Sequence, residues 1–188
     1  MINTRIVFAA MLAITLLVVV VPVSGQTTLF QCTDGVVILK SDATLELIQA
    51  KSHKLRGLID PAKQTFAWAV DISTFQGFNS PLQREHFHEN YLETERFPRA
   101  SFSGKIIEKF NIDQPGVQIV RAKGKLSIHG VEQERIIKSQ LENKGGKLYL
   151  TASFTVPIVE HDITIPKIVH QKIAEEIQVT IEAVLQKQ

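Results

Sequence analysis

A two-residue rhythm of apolar and polar side chains recurs along most of this chain, and it excludes helical folds before any single residue is considered. Phe66, Trp68, Val70 and Ile72 alternate with Ala67, Ala69, Asp71 and Ser73. Val120, Ala122, Gly124, Leu126 and Ile128 alternate with Arg121, Lys123, Lys125, Ser127 and His129. Successive side chains on a strand point to opposite faces, so each segment reads as a strand with one buried face. The pattern continues through Val131, Arg135, Ile137 and Leu141, through Leu148, Leu150, Ala152, Phe154 and Val156, and through Ile177, Val179, Ile181, Ala183 and Leu185. Shorter runs at Val36–Lys40, Leu45–Ala50 and Leu55–Ile59, with a strand carrying Phe102 and Ile106 after Pro98, bring the expected number to about eight or nine.

Turn residues punctuate these runs at Asp60-Pro61, Asn111–Gly116, His129-Gly130 and Lys144–Lys147. Long neighbours joined so directly form an up-and-down meander from about Ala100 to Val156, and strands of this length curl and close readily. The expected fold is therefore all-β: an extended antiparallel barrel of about eight strands. One helix interrupts it near residues 80–93, with Asn79 or Ser80 as N-cap and Pro81 at its first position. It carries Leu82, Phe87, Tyr91 and Leu92 and stops before Phe97-Pro98. A second short irregular piece at Pro166–Glu175 precedes the last strand, and each piece is expected to cover an end of the barrel.

The chain of 188 residues begins differently. Arg5 is followed by an uncharged apolar run from Ile6 to Val21, then by Val23-Ser24-Gly25 with small residues where a cut is made. That is the form of a secretory signal peptide, too short for a spanning helix, so residues 1–25 are expected to be removed and 26–188 to form one domain. No stable membrane span is then expected in the mature chain, which is periplasmic or secreted. Cys32 lacks the small residue that an acylated cysteine needs before it, because Gln31 stands there, and a lone cysteine makes no internal disulfide. Of 21 basic and 19 acidic residues, cleavage removes only Arg5, leaving 20 against 19. A charge so near balance argues against a nucleic-acid partner.

Three local signatures occur in order: Arg84-Glu85-His86-Phe87 on the helix, Phe97-Pro98 with Ala100-Ser101-Phe102 entering a strand, and Gly124-Lys125-Leu126-Ser127-Ile128-His129-Gly130-Val131 across a tight turn. Together they resemble the YceI-like family, over most of the mature chain from about Val36 to Leu185. The resemblance implies a lipocalin-like barrel, exported to the periplasm, with a hydrophobic cavity for a long isoprenoid or similar amphiphilic lipid. It also implies a homodimer as the assembly to test for, and no enzymatic activity. One departure is the loop Pro157–Ile163, which lacks the glycine many relatives carry after the equivalent acidic residue.

Chemistry-bearing residues are sparse. His86 and His88 stand two apart, which on a helix points them about 200° apart, so they do not share a metal ion, and no metal or other cofactor is expected. No strained Gly-x-Ser-x-Gly elbow and no Cys-x-x-Cys pair occurs, so no catalytic residue is assigned. Glu132, Glu134 and Glu142 read as solvated decoration.

The inward faces remain as the site, with a lipid, quinone or fatty-acid-like molecule as occupant. Its expected lining is Phe66, Trp68, Val70 and Ile72 on one strand, Phe102, Leu126 and Ile128 on the next two, and Leu148, Leu150, Phe154, Val179 and Ile181 on the last two, with Phe87 closing one end. Arg84, His86 and His161 are the candidates for a polar head group at the mouth. Small inward residues at Ala122, Gly124, Ala152 and Ala183 favour free volume. The alternatives are an interaction module whose barrel is filled by its own side chains and, with less support, an enzyme acting on a lipid or quinone.

Overall fold

The computed structural model describes residues 28–188; the apolar leader and its cut after Gly25 lie outside them. Eight antiparallel strands follow one another around a closed barrel in chain order. They are β1 Phe30–Asp42, β2 Leu47–Asp60, β3 Thr65–Asp71, β4 Arg99–Ile106, β5 Gly116–Ile128, β6 Val131–Lys144, β7 Lys147–Pro157 and β8 Glu176–Lys187. β8 closes on β1 from Phe30 opposite Lys187 to Lys40 opposite Gln178. The lower end holds the start of β1 and the turns after β2, β4 and β6. At the upper end lie the helix, the β5–β6 turn and the long connection before β8.

Sequence periodicity divides β2 into two runs, Leu45–Ala50 and Leu55–Ile59, but the structure makes them one strand. The reason is a bulge. His53 and Lys54 both face outward between inward Ser52 and Leu55, and the register against β1 shifts at the same place. β1 has its own bulge, where Thr33 and Asp34 both face outward between buried Cys32 and Gly35. Each extra residue resets the alternation, so a two-residue rhythm read along the sequence breaks while the strand continues.

The β5–β6 turn is two residues long, with His129 at φ 52° and Gly130 at φ 76°, the left-handed pair that a right-twisted hairpin requires. Helix α1, Pro81–His86, is capped by Ser80, whose hydroxyl accepts the Gln83 N–H at 3.2 Å, and it continues into a wider π-helical turn, Phe87–Tyr91. Across the outer wall Glu132 and Glu134 pair with Lys125 and Lys123, and Glu142 with Lys144, as solvated ion pairs worth little to stability.

Candidate functional site

The two halves of the barrel interior differ. In the lower half, inward side chains meet across the axis: Phe30, Ile59, Phe66, Leu141, Leu148 and Leu185 are all buried in one continuous core. The upper half encloses a cavity of about 460 Å³. This lies within the range of small-molecule sites.

The cavity walls are almost wholly apolar. Val37 and Leu39 come from β1, Ile48, Ala50 and Leu55 from β2, and Trp68 and Val70 from β3, with Ile72 just beyond it. Phe102, Leu126 and Ile128 continue the wall across β4 and β5, and Phe154, Val179 and Ile181 close it across β7 and β8. Of the residues expected to line a cavity, ten do so: Trp68, Val70, Ile72, Phe87, Phe102, Leu126, Ile128, Phe154, Val179 and Ile181. Phe66, Leu148 and Leu150 are buried on the same faces but belong to the packed lower half.

The small inward residues do not translate simply into free space. A Cβ on Gly57 would lie 2.0 Å from the Trp68 ring, so the indole occupies the volume this glycine leaves. The Gly104–Gly124 pair answers a different need, because a Cβ on either would strike backbone of the facing strand at 2.1–2.2 Å.

The roof has two parts. Below α1, Phe87 packs against Phe78 at 4.9 Å between ring centroids and against buried Phe75 at 6.0 Å. Leu82, Gln83, His86, Tyr91 and Leu92 border the cavity beside them. Burial raises the Tyr91 phenol above its ordinary pKa, so its hydroxyl remains protonated. The other part is the connection after β7, which supplies Ile158, Ile163, Ile165, Val169 and Ile173. Hydrogen bonds tie both parts to the β1–β2 turn. The Ala174 N–H donates to the Ser41 hydroxyl at 2.8 Å, and the Leu45 N–H donates to the Gln171 carbonyl at 2.9 Å. Asn79 and Gln83 donate to one Glu46 carboxylate oxygen at 3.1 and 2.5 Å, and with Lys172 nearby they hold that carboxyl below the usual range.

Apart from Ser101 on β4, polar lining residues gather at the mouth: Ser41, Glu46, Ser80, Gln83, His86, Tyr91 and Lys172. Of the three expected head-group residues, only His86 borders the cavity. Arg84 lies in a separate outer groove with Gln76–Pro81, Glu85, His88 and Glu89. His161 is completely buried, away from the cavity. Lys172 and the loop isoleucines escape sequence reasoning because they sit on an irregular segment, and Glu46 because it stands at the turn end of the Leu45–Ala50 run, just before β2 begins. The alternation Ile163-Thr164-Ile165 is the one signal that could have pointed to them.

His161 belongs instead to a seam in the wall. Pairing between β6 and β7 runs only from Ser139 opposite Ala152 to Lys144 opposite Lys147. Above it the 3-10 turn Ile158–His161 packs against both strands. Gln133 donates to the Glu160 carbonyl at 2.8 Å, Arg135 pairs with the Glu160 carboxylate, and His161 Nδ1 donates to the Val131 carbonyl at 3.2 Å. The β5–β6 turn is held from the same side. His129 Nδ1 donates to the His161 carbonyl at 3.1 Å, its Nε2 lies 3.2 Å from Glu93, and its ring meets Phe97 edge-on at 4.6 Å. The Phe97-Pro98 and His129-Gly130 signatures are thus two sides of one structural clasp.

Comparison with known proteins adds to this geometry. A family model described as "YceI-like domain" matches residues 13–185. A search of curated proteins finds no match. Among solved structures, Burkholderia cenocepacia BcnA is similar at a TM-score of 0.67 and 15% identity, over 80% of this chain and 95% of that one. A polyisoprenoid binding domain from Saccharophagus degradans, described as implicated in plant cell wall breakdown, is similar at a TM-score of 0.71 and 11% identity, over 86% and 99%. The Campylobacter jejuni YceI protein is similar at 0.59 and 13%, over 75% and 85%. Identities this low speak to the fold.

Proposed function

The chain belongs to the YceI-like domain family, and from that premise we propose that it is an exported lipid-binding protein that carries or sequesters an isoprenoid or similar amphiphile in the upper half of its barrel. The observation that carries the reading is the division of the cavity, with almost wholly apolar walls along its depth and polar side chains, Ser101 apart, gathered at its mouth. An apolar tail gains up to about 0.8 kcal/mol for each methylene that leaves water, so such walls retain a lipid without specific polar chemistry. On this reading His86, Tyr91 and Lys172, which border the cavity, meet the polar head of the ligand. Supporting the choice of ligand class, one structurally similar domain is described as binding polyisoprenoids. The apolar leader supports export.

The proposal is binding without covalent chemistry. The alternative of a barrel filled throughout describes the lower half only.

Organic extraction and mass spectrometry of the mature protein from its own host test the reading, with a Phe154→Asp variant purified alongside. A stoichiometric isoprenoid, quinone or other amphiphile in the parent, absent from a variant whose β-sheet circular dichroism is unchanged, supports it. A lipid-free parent that also takes up no added isoprenoid overturns it.

A further inference from the structure

We infer that the Trp68 indole, seated on Gly57, is the floor that sets how long an apolar tail this barrel encloses. The inference rests on the lipid-binding reading and narrows it from a long-chain isoprenoid to a tail of limited length.

The wall stops at the same kind of boundary on strand after strand. On β3 Trp68 borders the cavity, whereas Phe66, two residues below on the same face, does not. Leu55 borders it on β2 and Ile59 does not, while Leu126 does on β5 and Ala122 does not. Phe154 and Ile181 are the last lining residues on β7 and β8, above Ala152 and Ala183.

Trp68 is the largest of these boundary side chains, and its ring position is fixed by its neighbour. Gly57 stands directly opposite it on β2, and the ring covers the glycine so closely that a Cβ there would lie 2.0 Å from two ring carbons. On its other side Trp68 pairs with Phe102, which packs against Phe66 at 4.8 Å. The three aromatic rings thus cap the packed lower half.

A methylene takes about the space of a water molecule, roughly 30 Å³, so a cavity of about 460 Å³ holds on the order of fifteen carbons. Up to that length each added methylene tightens binding by up to roughly fourfold. Beyond it the added carbons remain at the mouth and contribute little.

The test measures binding of prenyl alcohols of 10, 15, 20 and 45 carbons to the delipidated mature chain, by co-elution and mass spectrometry. Affinity is expected to rise steeply to about fifteen carbons and then level off. Trp68→Leu, which removes the ring but keeps an apolar side chain, moves the break to a longer tail and tightens binding of the 20-carbon alcohol at least tenfold relative to the 15-carbon one. Gly57→Ala drives the ring upward and moves the break to a shorter tail. If Gly57→Ala does not fold, Trp68→Leu decides alone. Affinity that climbs through 45 carbons in the parent, or a break that stays in place in Trp68→Leu, overturns the floor while leaving lipid binding intact. Failure of every alcohol to bind overturns the lipid-binding reading itself.

Discussion

The lower half of the barrel and the upper half are built from the same strands with the same alternation, yet one is a core and the other a container. Below Trp68 the side chains of opposite walls meet, and Leu148 and Leu185 are 2% and 0% exposed. Above it they face a cavity, and closure comes from a helix and a loop fastened by side-chain hydrogen bonds. Packing and open volume are thereby separated along the barrel axis. The lower half holds the closed sheet in register while the upper half leaves apolar surface facing the cavity, where the proposed ligand would lie.

The sharpest way to break this comparison is to make the same truncation in each half. Leu148→Ala removes a fully packed side chain and is expected to cost about 2–5 kcal/mol. Leu126→Ala, on the cavity wall, is expected to cost the lipid-free protein at or below the lower end of that range, because Leu126 already lacks partner atoms on its inner side. Denaturant unfolding of the two lipid-free variants checks the difference. Equal losses would mean that the upper half is as well packed as the lower.

Which residues face inward was legible in the sequence; which of those face the cavity was not. Trp68, Phe154 and Ile181 alternate in the same way as Phe66, Leu150 and Leu185, and nothing in a two-residue period tells depth along a barrel. Depth is decided by a cross-strand contact, the indole of Trp68 on Gly57, that joins residues from different segments. The bulges at Thr33-Asp34 and His53-Lys54 were hidden for a related reason, since an extra outward residue looks like the end of a strand. His161 was misplaced because its loop has no period at all. Only the fold shows that it fills the seam between β6 and β7.

A second pair of substitutions compares the two ends through their turns. Gly130 and Gly145 both have left-handed backbones, at φ 76° and 59°, so alanine at either is strained, by about 1 kcal/mol. At Gly145 the new methyl meets open space, whereas at Gly130 it would lie 2.5 Å from the Phe97 ring. Gly130→Ala is therefore expected to destabilise the protein more than Gly145→Ala, by about another 1 kcal/mol as Phe97 is pushed from His129. It should also weaken ligand retention, since the displaced clasp borders the upper half. Thermal unfolding of both variants and ligand retention by Gly130→Ala check this. Equal melting temperatures would place the clasp outside the stabilising contacts of the upper end.

The smallest expected effect is a slope in pH rather than a step, and it arises at the seam. Burial holds the His161 pKa below that of a free histidine, outweighing the hydrogen bond to the Val131 carbonyl and the field of Glu160, which act the other way, and the nearby Arg135 guanidinium acts in the same direction as burial. His161 Nδ1 donates to the Val131 carbonyl, and its buried Nε2 has no hydrogen-bond partner among the described residues. The folded state thus keeps this ring neutral at a pH where the unfolded chain has begun to protonate it. Stability on this account is fully present above the ordinary histidine value of about 6.5, and it declines as pH falls from there toward the lower folded-state value. His88, also depressed by burial, adds a decline of the same sign. Replacing His161 with Gln removes only its own share, so the variant is expected to be less stable at pH 7.5 and to lose less on going to pH 5. Parallel losses in the two proteins would place the acid sensitivity outside His161, in groups such as His88, and separate it from the seam that closes the upper half.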